Sequence, residues 1–150
     1  MSPLYRIISR SQWEQAHCSG FVPRCPADER RDRVHLNERH DIERVARMWF
    51  SADEEPIALE LDVSSVQSKV KWERRTEPPL EEWPNLYLPA IPLEIVSAVH
   101  ILDPDPGSVG GFTLGLRQPV PFPNYAFKRT AGTGLEFSDV LSARCRLTRR

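Results

Sequence analysis

The stretch "IALELDV", residues 57–63, constrains the fold more than any other part of the chain. Ile57, Leu59, Leu61 and Val63 alternate with Ala58, Glu60 and Asp62. A period of two fits a β-strand and no helix, because successive side chains of a strand leave opposite faces. One face of this strand is therefore core, and the other is expected to be wet or functional. A strand needs neighbours to satisfy its backbone, and candidates are present. "LYRII" at residues 4–8 and "KVKWE" at 69–73 are short β-prone runs, as are residues 34–36 and about 97–102.

Helical signals lie between the early strands. Ser9 with Gln12, or Ser11 with Glu14, makes a capping box, and Gly20 is a helix stop. Asn37 is the expected N-cap of a second helix over about 38–50. Ile42, Val45, Ala46 and Trp49 fall at i, i+3, i+4 and i+7 and predict one buried stripe, with Trp49 in the core. Glu43 and Arg47 form a favourable i, i+4 pair on another face. The two prolines and the charge run of "FVPRCPADERRDR" predict a loop. Strand, helix, strand, helix and then several strands make the expected class α+β.

The chain has 150 residues, enough for one domain with a real core. A formal net charge of -1 gives no reason to expect a nucleic-acid or membrane partner. "MSPLYRIISRSQW" has no apolar run of signal-peptide length, which makes the cytoplasm the expected location. Three cysteines without a C-x-x-C spacing fit neither a disulfide framework nor an established metal site. After Leu102 the character changes. "DPDPGSVGG" and "RQPVPFPN" are rich in breakers, and the segment from Asp103 carries seven Lys/Arg against four Asp/Glu. The expected organisation is a single α+β domain over 1–102 and a Pro/Gly-rich, basic, loosely packed extension over 103–150, with "GSVGGFTLG" as linker.

Chemistry is sought on the polar parity of the strands. If Val34 and Leu36 face the core, His35 faces away. Glu73 likewise leaves the face of Val70 and Trp72. If the two strands are neighbours, both groups line one cleft. Tyr87 has a hydroxyl within reach of such a cleft. His17, late in the first helix, is placed where a positive charge suits the helix dipole. His40 is expected to be solvated and His100 structural. No Gly-rich phosphate loop, serine elbow or H-E-x-x-H zinc motif is present.

The order of pieces resembles the bacterial domain of unknown function 952 family over about residues 4–102. The matching segments are "LYRIISRSQWEQA", "RVHLNERHDIERVARMWF", "IALELDV", "KWE", "WPNLYLPAIPLEIV" and "SAVHIL". That family is grouped with ADP-ribosyltransferase-like folds. The resemblance implies a small split, curved, mainly antiparallel sheet with two N-terminal helices and a cleft that holds NAD in active relatives. It makes His35 the ribose anchor, Glu73 the catalytic carboxylate that stabilises an oxocarbenium-like transition state, and Tyr87 the aromatic. Asn85 stands where the family has a histidine and is the remaining ligand-binding position, and Leu88 stands where the family has a glycine.

Two functional readings follow. One is a cleft of ADP-ribosyltransferase type that binds NAD or another nucleotide, with no resident metal expected. The other is a non-catalytic binding or interaction module with a degenerate cleft.

Overall fold

A computed structural model describes residues 2–74, 76 and 81–120. Among them are nine strands and three α-helices. In chain order they are β1 (Leu4–Ile8), α1 (Arg10–Ser19), β2 (Phe21–Pro23), α2 (Pro26–Arg31), β3 (Val34–His35), α3 (Ile42–Trp49), β4 (Ile57–Leu61), β5 (Val70–Arg74), β6 (Glu82–Leu86), β7 (Ala90–Pro92), β8 (Val96–Pro104) and β9 (Phe112–Pro119). The class is α+β, with antiparallel pairing in every ladder. None of the described helices is long and apolar enough to cross a membrane.

The strands form a four-stranded sheet in the order β1-β4-β8-β9, a two-stranded ribbon β2-β7 and a three-stranded sheet β3-β6-β5. The larger core lies between the first and third of these. Leu4, Ile8, Leu59, Leu61 and Val99 meet Val34, Leu36 and Leu86, with Trp13 and Ala16 of α1 closing one side. A smaller cluster on the opposite face of the four-stranded sheet joins Tyr5, Ile7, Ala58 and Leu102 to Ile42 and Ala46 of α3. β4 is thus buried on both faces. The face expected to be wet is covered because β4 is an inner strand and α3 packs on it.

Local signals account for the ends of α1. Ser9 and Gln12 make the reciprocal capping box. Gly20 has φ 86, the left-handed stop that glycine adopts at least cost.

Several expectations are corrected. α2 and β2 occupy the segment expected to be a loop, for Pro26 sits in the first turn of α2, where a missing N–H costs nothing. Asn37 is not a helix cap. Its backbone bridges Tyr5 of β1, and a short 3-10 turn over Arg39–Asp41 leads into α3. Trp49 is 72% exposed. α3 ends there, and the apolar stripe continues into half-buried Phe50 instead. His17 is not cationic. Burial lowers its pKa to about 4, and its ring packs edge-on against Trp13 at 4.5 Å.

The boundary expected at residue 102 is also displaced. β8 runs through it to Pro104, and β9 adds the fourth strand. Phe112 of β9 is buried in the smaller core. The register slips between His100 and Leu102, where Gly115 stands opposite. A Cβ at Gly115 would press on the Ile101 carbonyl oxygen at 3.1 Å and displace the Asp103 carboxylate, so close approach of β8 favours glycine inside this strand. Residues 121–150 of the expected extension lie outside the described residues.

Candidate functional site

The three-stranded sheet turns one face to the core and the other outward. In its ladder Val34 and Val70 both pair with Leu86, and these three belong to the core side. The alternate parity holds His35 opposite Asn85, Asn85 opposite Lys71, and Trp83 opposite Glu73. Directly paired residues share a face, so His35, Asn85, Lys71, Trp83 and Glu73 form one outward group. Arg33 and Tyr87, two residues from His35 and Asn85, have the same parity.

The side chains of this face touch one another. The Trp83 and His35 rings lie 5.0 Å apart at a tilt of 49°. The Arg44 guanidinium carbon is 5.2 Å from the Trp83 ring centroid, within cation–π range. Tyr87 donates its hydroxyl hydrogen to Glu73 Oε1. Arg33 Nη2 lies 2.6 Å from Glu73 Oε2, with the two side chains 26% and 36% exposed. Lys71 Nζ is 5.2 Å from the Tyr87 ring centroid. Acceptance by the Glu73 carboxylate makes the Tyr87 phenol harder to ionise and raises its pKa.

His35 is half-buried, and the network beneath it fixes its backbone. Arg6 of β1 donates from Nη1 to the His35 carbonyl at 2.7 Å and from Nη2 to Asp28 Oδ2 at 2.6 Å. Asp28 of α2 is buried, and its Oδ1 accepts from the His35 N–H at 3.1 Å. Burial by itself would raise the Asp28 carboxyl pKa. The Arg6 charge and the backbone N–H groups of His35 and Cys25 bring it below its ordinary value. For the His35 imidazole, burial and then the Arg6 charge lower the pKa, so the ring is neutral at pH 7. Neutral imidazole can both donate and accept one hydrogen bond.

His35, Glu73, Tyr87 and Asn85 are therefore brought to one sheet face, but their access differs. Asn85 is 4% exposed; its amide donates to the Trp83 carbonyl at 3.1 Å and also hydrogen-bonds the His35 side chain. Trp83 and Arg33 were missing from the sequence-based set. Parity could have found both, since Arg33 precedes His35 by two and Trp83 precedes Asn85 by two. Nothing in the sequence could have supplied Arg6 and Asp28, whose roles depend on the meeting of β1, α2 and β3.

Two concavities lie elsewhere. One of about 630 Å³ is lined by Glu38, His40, Asp41, Trp72, Glu81 and Glu82. Its Glu38, His40 and Asp41 donor atoms fall within 4.8 Å of one another, yet Arg44 already pairs with Asp41 at 2.6 Å and reaches Glu81 at 3.4 Å. That guanidinium offsets the negative charge a cation would need. The other, about 190 Å³, lies between Trp13 and the Ile57 and Ile101 ends of β4 and β8.

The chain resembles protein CC0527 from Caulobacter crescentus. Its crystal structure aligns with a TM-score of 0.64 at 22% identity, covering 75% of this chain and 94% of that one. The solution NMR structure of the same protein aligns with a TM-score of 0.60 at 23% identity, covering 74% and 91%. At this identity the likeness establishes the fold alone. The family model described as a protein of unknown function, DUF952, matches residues 7–99. No curated protein matches the chain.

Proposed function

The chain belongs to the DUF952 family of proteins of unknown function, and on that premise we propose that the outward face of its three-stranded sheet binds a nucleotide of the NAD or ADP-ribose class without transferring it. One observation carries this reading: two aromatic rings, a neutral imidazole, a carboxylate and two cations share one face of one sheet. Trp83 and Tyr87 offer π-faces to a base. His35 and Glu73 offer hydrogen-bond partners to ribose hydroxyls, as the resemblance to ADP-ribosyltransferase-like folds implies. Arg33 and Lys71 suit phosphate.

The state of Glu73 favours binding over catalysis. In a transferase this carboxylate would stabilise positive charge developing on the sugar. Here the Arg33 guanidinium and the Tyr87 hydroxyl occupy its two oxygens. A carboxylate so neutralised has little field left for an oxocarbenium ion.

The test is an NMR titration of the full chain with NAD and with ADP-ribose, following the Trp83 indole N–H and the His35 ring. Saturable shifts at ligand concentrations up to about 1 mM support the proposal. Their absence at both signals rejects it. Release of nicotinamide from NAD would replace the binding reading with a catalytic one.

A further inference from the structure

We infer that Arg33, Tyr87 and Lys71 form an anion subsite suited to a phosphate group, which the Glu73 carboxylate fills in the free protein and leaves when the ligand binds. This inference rests on the nucleotide reading and names the part of the ligand that this end of the sheet face takes.

Two unlike donors, from the residue before β3 and the residue after β6, converge on one carboxylate. The Arg33 guanidinium approaches Glu73 Oε2 at 2.6 Å, and the Tyr87 hydroxyl donates to Oε1. A guanidinium beside a phenol is a donor pair that serves a phosphate oxygen as well as it serves a carboxylate oxygen. The pairing with Glu73 also leaves Arg33 incomplete. Its Nε is enclosed and has no hydrogen-bond acceptor. Its Nη1 reaches the Arg31 carbonyl only at 3.4 Å. A phosphate in the place of the Glu73 carboxylate can take the Arg33 Nη2 and Tyr87 hydroxyl donors together on its oxygens.

Charge points the same way. Lys71 Nζ lies over the Tyr87 ring at 5.2 Å, which brings a second cation to the group. Arg33 and Lys71 set two positive charges against the single negative charge of Glu73. The displaced carboxylate has somewhere to go, since its side chain is 36% exposed on an outer strand and can rotate into water. Glu73 is thus a tethered competitor that raises the ligand concentration needed for occupancy.

The experiment titrates the full chain with inorganic pyrophosphate, by calorimetry and by the amide signals of residues 33, 73 and 87. Glu73→Gln keeps the side-chain shape and removes the competing charge. It should bind pyrophosphate about two- to fivefold tighter than the unsubstituted protein, the worth of one partly exposed ion pair. Adding Arg33→Gln to that variant should abolish the gain. Tyr87→Phe, which keeps the ring and removes one donor, should weaken pyrophosphate binding, and it provides the decision if Glu73→Gln lacks a cooperative unfolding transition. Equal pyrophosphate binding with and without Glu73→Gln, or binding indifferent to Arg33 and Tyr87, overturns the inference. Adenosine, which has no phosphate, separates the two proposals. If adenosine shifts Trp83 and His35 while pyrophosphate fails, the nucleotide reading stands and the subsite falls. If pyrophosphate behaves as expected while adenosine and ADP-ribose leave Trp83 and His35 unmoved, the subsite stands and the nucleotide reading falls.

Discussion

The same four residue types meet at two places in this protein. On the four-stranded sheet Glu60, His100, Arg117 and Tyr5 lie together. On the three-stranded sheet Glu73, His35, Arg33 and Tyr87 share a face. The first group is closed. Arg117 holds Glu60 with two hydrogen bonds, at 3.0 and 2.9 Å, and His100 Nε2 lies 2.7 Å from the same carboxylate. The Tyr5 ring meets His100 edge-on at 5.7 Å. The Glu60 and His100 side chains are 11% and 2% exposed, and Arg117, itself 49% exposed, closes over them from the solvent side. In the second group Glu73 and Arg33 are 36% and 26% exposed, and an Arg33 donor lacks an acceptor. Residue chemistry alone does not separate a structural clamp from a binding surface. Burial of the carboxylate and hydrogen-bond completeness do, because a buried carboxylate whose partners are all satisfied has nothing left to offer a ligand.

The comparison is broken most severely by removing β9. A chain ended after residue 102 loses Phe112 from the smaller core and Arg117 from Glu60, so it should show no cooperative urea unfolding transition. A cooperative transition at ordinary stability would mean that β9 is dispensable and that the closed network does not depend on it.

The two carboxylates then give a paired measurement. Glu60→Ala leaves the buried His100 ring without its hydrogen-bond partner and should cost about 1 to 3 kcal/mol in urea unfolding, the penalty for a buried polar group left unsatisfied. Glu73→Ala should cost about 1 kcal/mol or less, since its pair is partly exposed. Equal losses would erase the distinction between the two groups. Acid sharpens it. The hydrogen bonds from Arg117, outweighing burial and aided by His100, lower the Glu60 pKa from 4.5 to about 2. A depressed carboxyl pKa means that its stabilisation is full above 4.5 and is lost as the pH falls towards 2, where the folded state must also take up the proton. Glu60→Gln should flatten the stability curve across that window.

A smaller effect is expected at His35. His35→Ala should weaken nucleotide binding by about 1 kcal/mol, the worth of a hydrogen bond, and change urea stability by less. A stability loss above its loss of affinity would make His35 a packing residue like His100. The smallest effect is expected at Trp49. With its ring exposed at the end of α3, Trp49→Ala should stay within about 0.5 kcal/mol. A core-sized loss would restore the stripe expected from the sequence.

Helix α3 shows why some of the fold was legible and some was not. Ile42 and Ala46 were assigned to the core from i, i+4 spacing, and both are fully buried. Trp49 has the same spacing and is exposed, because periodicity says which residues share a face but not how far along the helix the sheet reaches. β9 was missed for a related reason. Glycine and proline breakers dominate its approach, and the support that makes "FTLGLRQP" a strand comes from β8 and Glu60. At the candidate site, parity was enough to place His35 and Glu73 outward. Their sharing of one face depended on β6 lying between β3 and β5.

By itself the sequence determined what is local: the strand parity of residues 57–61, the capping box at Ser9, the stop at Gly20, the α+β class and the outward parity of His35 and Glu73. These rest on interactions between residues a few positions apart, whose geometry the backbone fixes wherever the segment lies. Only the tertiary structure decided that Glu60 is buried and clamped, that Asp28 and Arg6 secure the His35 backbone, and that Arg33, Tyr87 and Glu73 converge. Those contacts join strands and helices distant along the chain. Their energy depends on burial and on which partners arrive together, and no spacing within one segment encodes either.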